Sequence, residues 1–277
     1  MKNTRLHCNL CGHNKFETLE SDDVSFYVLK CRKCRLVFVH PHPSPIQLKA
    51  HYNKNYYVEW ITEQKKRREK MWQKRLDRLQ QLCQKGKILD VGCGDGLFLQ
   101  EAKNKGWHVN GTELSFFAST YASKMLDTEI FNGELHEAKF PENDFDVVTL
   151  WHVLEHVQDP KNYLKEIHRI LKPNGLLMLA VPNANNIVMR LAYRIIKGQK
   201  IKIFSIDDKE IHLYHYTAKI LKSYFDETGF NCIKFSPDFG IVEFSKRLIN
   251  WISVIPFYIL GIQIYNAIEA VAIAKKR

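Results

Sequence analysis

Residues 87–99 read Lys87-Ile-Leu-Asp90-Val-Gly92-Cys93-Gly94-Asp95-Gly96-Leu-Phe-Leu99: an apolar strand ending on an aspartate, a glycine-rich turn, then the first turn of a helix. Glycine lets the backbone turn sharply and brings bare amides against a ligand. The helix N-terminus adds unpaired N–H donors and the positive end of its dipole. Working outward, the run Trp107-His-Val-Asn-Gly-Thr112 has the pattern of a second strand and ends at Glu113. In a doubly wound α/β sheet, an acid at that place meets a ribose diol. The loop reads G-x-G-x-G and lacks the third glycine of the dinucleotide fingerprint, which argues against NAD.

The pattern continues through Asn132-Gly133-Glu134, Asn143-Asp-Phe-Asp-Val-Val148 and Trp151-His-Val-Leu-Glu-His-Val-Gln-Asp-Pro160. Over roughly residues 80–185, these segments resemble the class I S-adenosylmethionine (SAM)-dependent methyltransferases in order and spacing. The resemblance implies an α/β fold with a Rossmann-like doubly wound sheet. It assigns the methionine portion of SAM to Asp90, Gly92, Cys93 and Gly94, the ribose to Glu113 with Leu114, and the adenine to Glu134 with Leu135. Trp151, at the head of the fourth motif, joins that cofactor set, and Glu134 stands where the family more often has aspartate. Strands are expected near 87–91, 109–113, 128–132, 146–150 and 176–181. Asp159 and Pro160 should start a helix that Pro173-Asn-Gly175 ends. Thr217–Thr228 should form another, closed by Gly229 and followed by strands near 230–235 and 270–274.

The chain has 277 residues, 45% of them hydrophobic and 26% charged, enough for one sizeable core and a small appendage. Its first residues lack the apolar stretch of a secretory signal, so the cytoplasm is expected. Seven cysteines then read as thiols or metal ligands rather than a disulfide framework. Cys8, Cys11, Cys31 and Cys34 form C-x2-C-x19-C-x2-C, the spacing of a tetrahedral four-thiolate Zn2+ site. Such a site is closed to substrate and staples a module too small to hold itself together. The ribbon resembles one that precedes the methyltransferase domain in some bacterial enzymes, sugar methyltransferases among them, with the same passage from the second cysteine pair into an apolar strand and a proline-rich exit.

Three prolines in Pro41-His-Pro-Ser-Pro45 mark a boundary, and Ser44 with Gln47 reads as the capping box of a following helix. The expected divisions are 1–43 for the ribbon, 44–84 for a helical linker and cofactor cap, and 85–277 for the methyltransferase domain. In the linker, Glu63–Leu82 reads as a basic helix with a solvated face, packing through Met71, Trp72, Leu76 and Leu79. Beyond Pro182 a basic, aliphatic segment has the character of a lid or an acceptor-binding insertion. An apolar insertion near 245–268 includes an uncharged run from Leu248 to Ile268, long enough to span a bilayer. Pro256, Gly261 and several polar residues break that run, so an apolar hairpin is expected, covering the site or touching a bilayer peripherally, with Lys246 and Arg247 suited to anionic headgroups.

Methyl transfer from a sulfonium needs alignment and, for a hydroxyl acceptor, a base. The candidates are His152 and His156, just past the fourth strand, and His212 and His215 ahead of the late helix. His152, Glu155 and His156 also match a reversed zinc-protease motif, which is set aside because it lies inside the methyltransferase pattern with no third ligand evident. Tyr52, Tyr56 and Tyr57 are candidate roof residues. The expected reaction is SAM-dependent methylation of a small-molecule, sugar or lipid-linked saccharide acceptor at oxygen. The alternatives are an RNA methyltransferase using the basic segments and a non-catalytic SAM-binding scaffold.

Overall fold

A computed structural model describes residues 6–21, 25–44, 47–48, 57–58, 65–208, 210–238, 240 and 244–276; for 244–251 the backbone alone is described. In chain order the elements are β1 (Phe16–Ser21), β2 (Tyr27–Cys31), β3 (Val37–His40), α1 (Lys65–Gln80), β4 (Lys87–Val91), α2 (Leu97–Asn104), β5 (His108–Glu113), α3 (Phe116–Leu126), β6 (Phe131–Asn132), β7 (Phe145–Trp151), α4 (Pro160–Ile170), β8 (Leu171–Pro182), α5 (Ile187–Lys197), β9 (Tyr214–His215), α6 (Ala218–Thr228), β10 (Phe230–Pro237), α7 (Phe244–Leu260) and β11 (Ala267–Ala274). The large sheet runs β10-β11-β8-β7-β4-β5-β6, with β11 antiparallel to both neighbours and the other pairs parallel. Its order reverses beside β4, the switch point at which open α/β sheets bind ligands. One apolar cluster, with Trp72, Leu76, Leu79, Phe98, Leu99 and Met178, includes α1 and α2. A second, with Leu89, Leu150, Leu164, Ile167 and Leu221, includes α4 and α6.

Local signals set several boundaries. Asp159 caps α4 by accepting from the Asn162 N–H at 3.1 Å, with Pro160 in the first turn. Thr217 caps α6, and Gly229 closes it at φ 91°. Ser44 and Gln47 exchange the expected bonds, Ser44 N to Gln47 Oε1 at 2.8 Å and Gln47 N to Ser44 Oγ at 3.3 Å.

Three expectations are corrected. The strand expected over 128–132 shrinks to Phe131–Asn132, because the Thr128 and Ile130 N–H groups bond to the Ser123 carbonyl and hydroxyl of α3 instead. Pro173–Gly175 does not end α4, which stops at Ile170; the turn is an excursion within β8, where Leu171 pairs with Phe145 and Leu176 with Val147. The apolar run forms the 17-residue helix α7 rather than a hairpin. Pro256 removes one helical N–H, and the carbonyl it leaves belongs to half-exposed Ile252. No described helix is long and apolar enough to cross a membrane. The side chains of Lys246 and Arg247, and all of Tyr52 and Tyr56, lie outside the described residues.

The N-terminal sheet is β1-β2-β3-β9, all antiparallel, so its fourth strand comes from far downstream: Val37 pairs with His215 and Phe38 with Tyr214. Cys8, Leu10, Val28, Leu36 and Phe38 belong to the same cluster as Leu164, Leu213 and Tyr224. Asn9 ties the two regions further, donating to Asp159 Oδ1 at 2.8 Å and accepting from the Tyr224 hydroxyl at 3.0 Å.

Candidate functional site

A cavity of about 370 Å³ opens at the carboxyl edge of β4, β5 and β7, within the range of small-ligand sites. Asp90, Gly92, Cys93, Gly94, Glu113, Leu114, Glu134, Trp151, His152 and His156 all line it. Leu135 does not: it is fully buried in the core, and Tyr163 is the neighbour that reaches the wall beside Glu134. His212 and His215 do not line it either.

The loop after β4 is built for close approach. Gly92 and Gly94 have φ of 68° and 56°, and a Cβ at Gly92 would meet Val153 Cγ2 at 2.7 Å. The Gly92 and Cys93 amides bond back to the Thr112 carbonyl, locking the loop to the end of β5. Glu113 is buried there, accepting from the Tyr57 hydroxyl at 2.9 Å, the Ser115 N–H at 2.8 Å and the Gly94 N–H at 2.9 Å. Burial pushes its carboxyl above the usual range, and these donors pull the other way. Asp90 accepts from the Thr149 hydroxyl at 2.6 Å. Burial dominates its titration, and its pKa rises to about 8. Facing the cavity, a cation would find it a ready partner.

Helix α1 contributes more than a solvated face. Arg68 and Arg75 are buried, Arg68 against both oxygens of Asp95 at 2.6 Å and Arg75 against Asp238 at 2.6 and 2.7 Å. Arg75 also lies over the rings of Trp151 at 4.4 Å and Trp72 at 4.8 Å. Asp238 continues the chain of charges: its Oδ2 lies 3.2 Å from His152 Nε2, and His152 Nδ1 lies 3.5 Å from Glu155 Oε1. Although burial lowers the pKa of His152, the two carboxylates outweigh it and hold the imidazole at about 9, so the ring is cationic at neutral pH. An imidazolium that keeps its proton at neutral pH cannot serve as a base there. Its backbone also sits at φ 59°, a cost that the flanking charges help to offset.

His156 is the opposite case. Burial lowers its pKa, and its Nδ1–H donates to the Ile211 carbonyl at 2.7 Å, which puts the lone pair on Nε2. The His212 ring lies 5.0 Å from it. Glu155, His156 and His212 each present a donor atom within 4.8 Å of the others, a cluster that leaves out His152 and so does not complete the H-x-x-E-H pattern. Burial drives His215 down to about 3, keeping it neutral inside the N-terminal sheet. Tyr57, Arg75, Tyr163, Glu210 and Asp238 line the cavity without having been singled out as site residues, except Tyr57 as a roof candidate. One signal was available: Arg68, Trp72, Arg75, Leu76 and Leu79 share one helical face, marking both arginines as inward.

The four N-terminal cysteines converge. Cys8 and Cys34 Sγ lie 3.5 Å apart, Cys11 and Cys31 Sγ 3.6 Å, and all four within 4.8 Å of one another. A zinc tetrahedron with bonds of about 2.3 Å has edges of about 3.8 Å, so the donor set fits that ion.

Comparison with known proteins agrees with this layout. A family described as "Methyltransferase domain" matches residues 64–234. The ubiquinone biosynthesis O-methyltransferase of Thiobacillus denitrificans is 36% identical over 106 residues, which cover 36% of this chain and 45% of that protein. The chain therefore spans about half the length of that relative. Among solved structures, a Pyrococcus horikoshii protein superposes with a TM-score of 0.56 at 17% identity, covering 80% of this chain and 99% of the other. A SAM-dependent methyltransferase of Methanosarcina mazei does so with 0.53 at 19%, covering 72% and 98%. At such identities, the likeness is one of fold.

Proposed function

Because the chain belongs to the methyltransferase-domain family, we propose that it transfers a methyl group from SAM to an oxygen of a small, membrane-associated acceptor such as a lipid-linked saccharide. The observation that carries this reading is the cavity itself, which brings the buried Glu113 carboxylate, the Gly92–Gly94 loop and Asp90 to one sheet edge. SAM, when bound, supplies an electrophilic methyl carbon on a sulfonium. Glu113 receives the ribose diol, Asp90 the ammonium of the methionine portion, and the surfaces of Leu114, Glu134 and Tyr163 the base. With SAM bound, the acceptor oxygen would form its bond to the methyl carbon as the sulfur–carbon bond breaks, its proton passing to solvent water at the polar end of the cleft, where His156 and Glu210 lie. The T. denitrificans relative, by its name an O-methyltransferase of ubiquinone biosynthesis, supports oxygen as the target.

Helices α5 and α7 support the acceptor class. They pack together and expose Ile187, Leu191, Ile195 and Ile196 from one, and Ile255, Tyr258, Ile259 and Leu260 from the other. Ile195 is 74% exposed and Tyr258 70%. Arg190, Arg194, Lys197, Lys200 and Lys202, all exposed, lie in α5 and the segment after it, and positive charge beside an apolar face is the combination that docks on an anionic bilayer. Incubating the full chain and labelled-methyl SAM with separated lipid, polysaccharide, protein and RNA fractions should place label in the lipid fraction. An Ile195→Glu/Ile259→Glu variant should lose most of that transfer while still binding SAM. Label in RNA alone overturns the acceptor class.

The titration of Asp90 makes affinity depend on pH. A ligand ammonium binds the ionised carboxylate, so SAM affinity should rise up to about tenfold per unit from pH 6 to 8 as Asp90 loses its proton. Above about pH 8 the ligand amine, with an ordinary pKa of about 7.7–8.0, loses its own charge and affinity should fall. Calorimetric titrations across this range check it; Asp90→Asn should bind more weakly and lose the acidic limb. A wild-type profile flat between pH 6 and 8 rules the assignment out.

The cysteine cluster is read as a structural Zn2+ site of the N-terminal module. The chain should retain zinc through dialysis. Cys31→Ser should lose it and melt earlier, by several kcal/mol in the manner of small metal-stapled modules.

A further inference from the structure

Glu155, next in sequence to His156 of the cavity wall, is a buried carboxylate with both oxygens unsatisfied among the described residues. Its side chain is 1% exposed. Leaving a buried carboxylate with open lone pairs costs several kcal/mol unless a cation takes them up. The nearest charge, His152, stands 3.5 Å away outside hydrogen-bond geometry and is already bonded to Asp238. Two further donor atoms meet Glu155 within 4.8 Å, one from His156 and one from His212. His212 Nε2 is likewise buried without a hydrogen bond among the described residues, with Glu210 Oε2 3.6 Å away.

We propose that Glu155, His156 and His212 form a second metal site, for a divalent first-row transition ion of the zinc class, at the acceptor end of the cleft. Two imidazoles and one carboxylate are the donor set of catalytic rather than structural zinc, leaving positions open. The Nδ1–H of His156 on the Ile211 carbonyl is the outer-shell bond that orients a metal-ligating histidine with Nε2 toward the ion. Zinc bonds of about 2.0–2.1 Å place such donors roughly 3.4 Å apart, a small closure of the present triangle. Since His156 and Glu210 belong to the cavity wall, an ion held here sits at its edge, where an acceptor oxygen can enter its open positions. That role rests on the methyl-transfer reading; binding of the ion does not.

Cobalt(II) alone is the probe. The full chain, its cysteine site filled with zinc, is titrated with Co2+ and followed by visible absorption, with SAM titrated in parallel. One further equivalent should bind, giving d–d bands without the charge-transfer absorption of thiolate ligands. Glu155→Gln and His212→Asn should each weaken it by at least tenfold while leaving the zinc content at one per chain. His212 lies nearer the surface, so its variant tests the site even if Glu155→Gln disturbs folding. No Co2+ beyond the cysteine site, or undiminished binding in the His212 variant, overturns the inference. Failure to bind SAM would instead sink the methyl-transfer reading, whatever the cobalt does.

Discussion

Glu113→Ala is expected to weaken SAM and its demethylated product alike by at least about 100-fold. Hydrogen bonds to a charged group contribute about 1.5–3 kcal/mol each, and a diol held by one carboxylate makes two of them. The substitution also strands the Tyr57 hydroxyl and the Gly94 and Ser115 amides, which now share the carboxylate, so the loop after β4 loses its anchor as well. Glu113→Gln separates the two effects, because it keeps an acceptor in place but removes the charge, and should cost less. Equilibrium binding of both nucleosides, with melting curves as a control for folding, checks the result. Affinity unchanged in a folded Glu113→Ala protein would falsify the ribose assignment.

The second large effect is on stability. Arg75→Met leaves Asp238 buried against His152 alone, and breaking a buried pair from one side costs about 3–5 kcal/mol. For a chain of this size, that is roughly a 10 °C fall in melting temperature. Arg75→Met/Asp238→Leu should recover much of the loss, since replacing both charges by apolar groups removes the uncompensated one. The pH dependence has two signs. Arg75 and His152 overcome the effect of burial and hold Asp238 well below the usual carboxylate range, so its contribution is present above about pH 4 and fades as pH falls toward its lowered native value. His152 is raised to about 9, so its contribution is complete below about pH 6.5 and fades as pH rises through 9. Urea unfolding at pH 5, 7 and 10 should therefore show wild-type stability falling at pH 10. Asp238→Asn, where His152 loses its main partner, should show a smaller drop over the same interval.

What could be read from sequence was what is decided locally. Asp90 to Gly96, the cap at Asp159, the stop at Gly229 and the cysteine pairs each act within a few residues, and they locate both the switch point and the cysteine cluster. The charged wall of the cleft escaped because it is assembled across the fold: Arg75 and Asp238 are 163 positions apart. Helix α7 was hidden by Pro256, which argues against a helix by local rules yet lies inside this one, four residues after half-exposed Ile252. Leu135 was misplaced by one step: Glu134 faces the cavity, and the following 3₁₀ turn carries Leu135 inward.

The two-residue strand β9 makes the N-terminal module inseparable from the rest. Tyr214 and His215 complete its sheet, and His212, two residues earlier, sits beside Glu155. Excising residues 1–43 would leave β9 an unpaired edge and bare the apolar surface shared with α4 and α6, so the remainder would precipitate rather than persist as a minimal enzyme. The same splice gives the thiol cluster leverage at a distance: oxidising it should loosen the histidine end of the cleft and spare the nucleoside end.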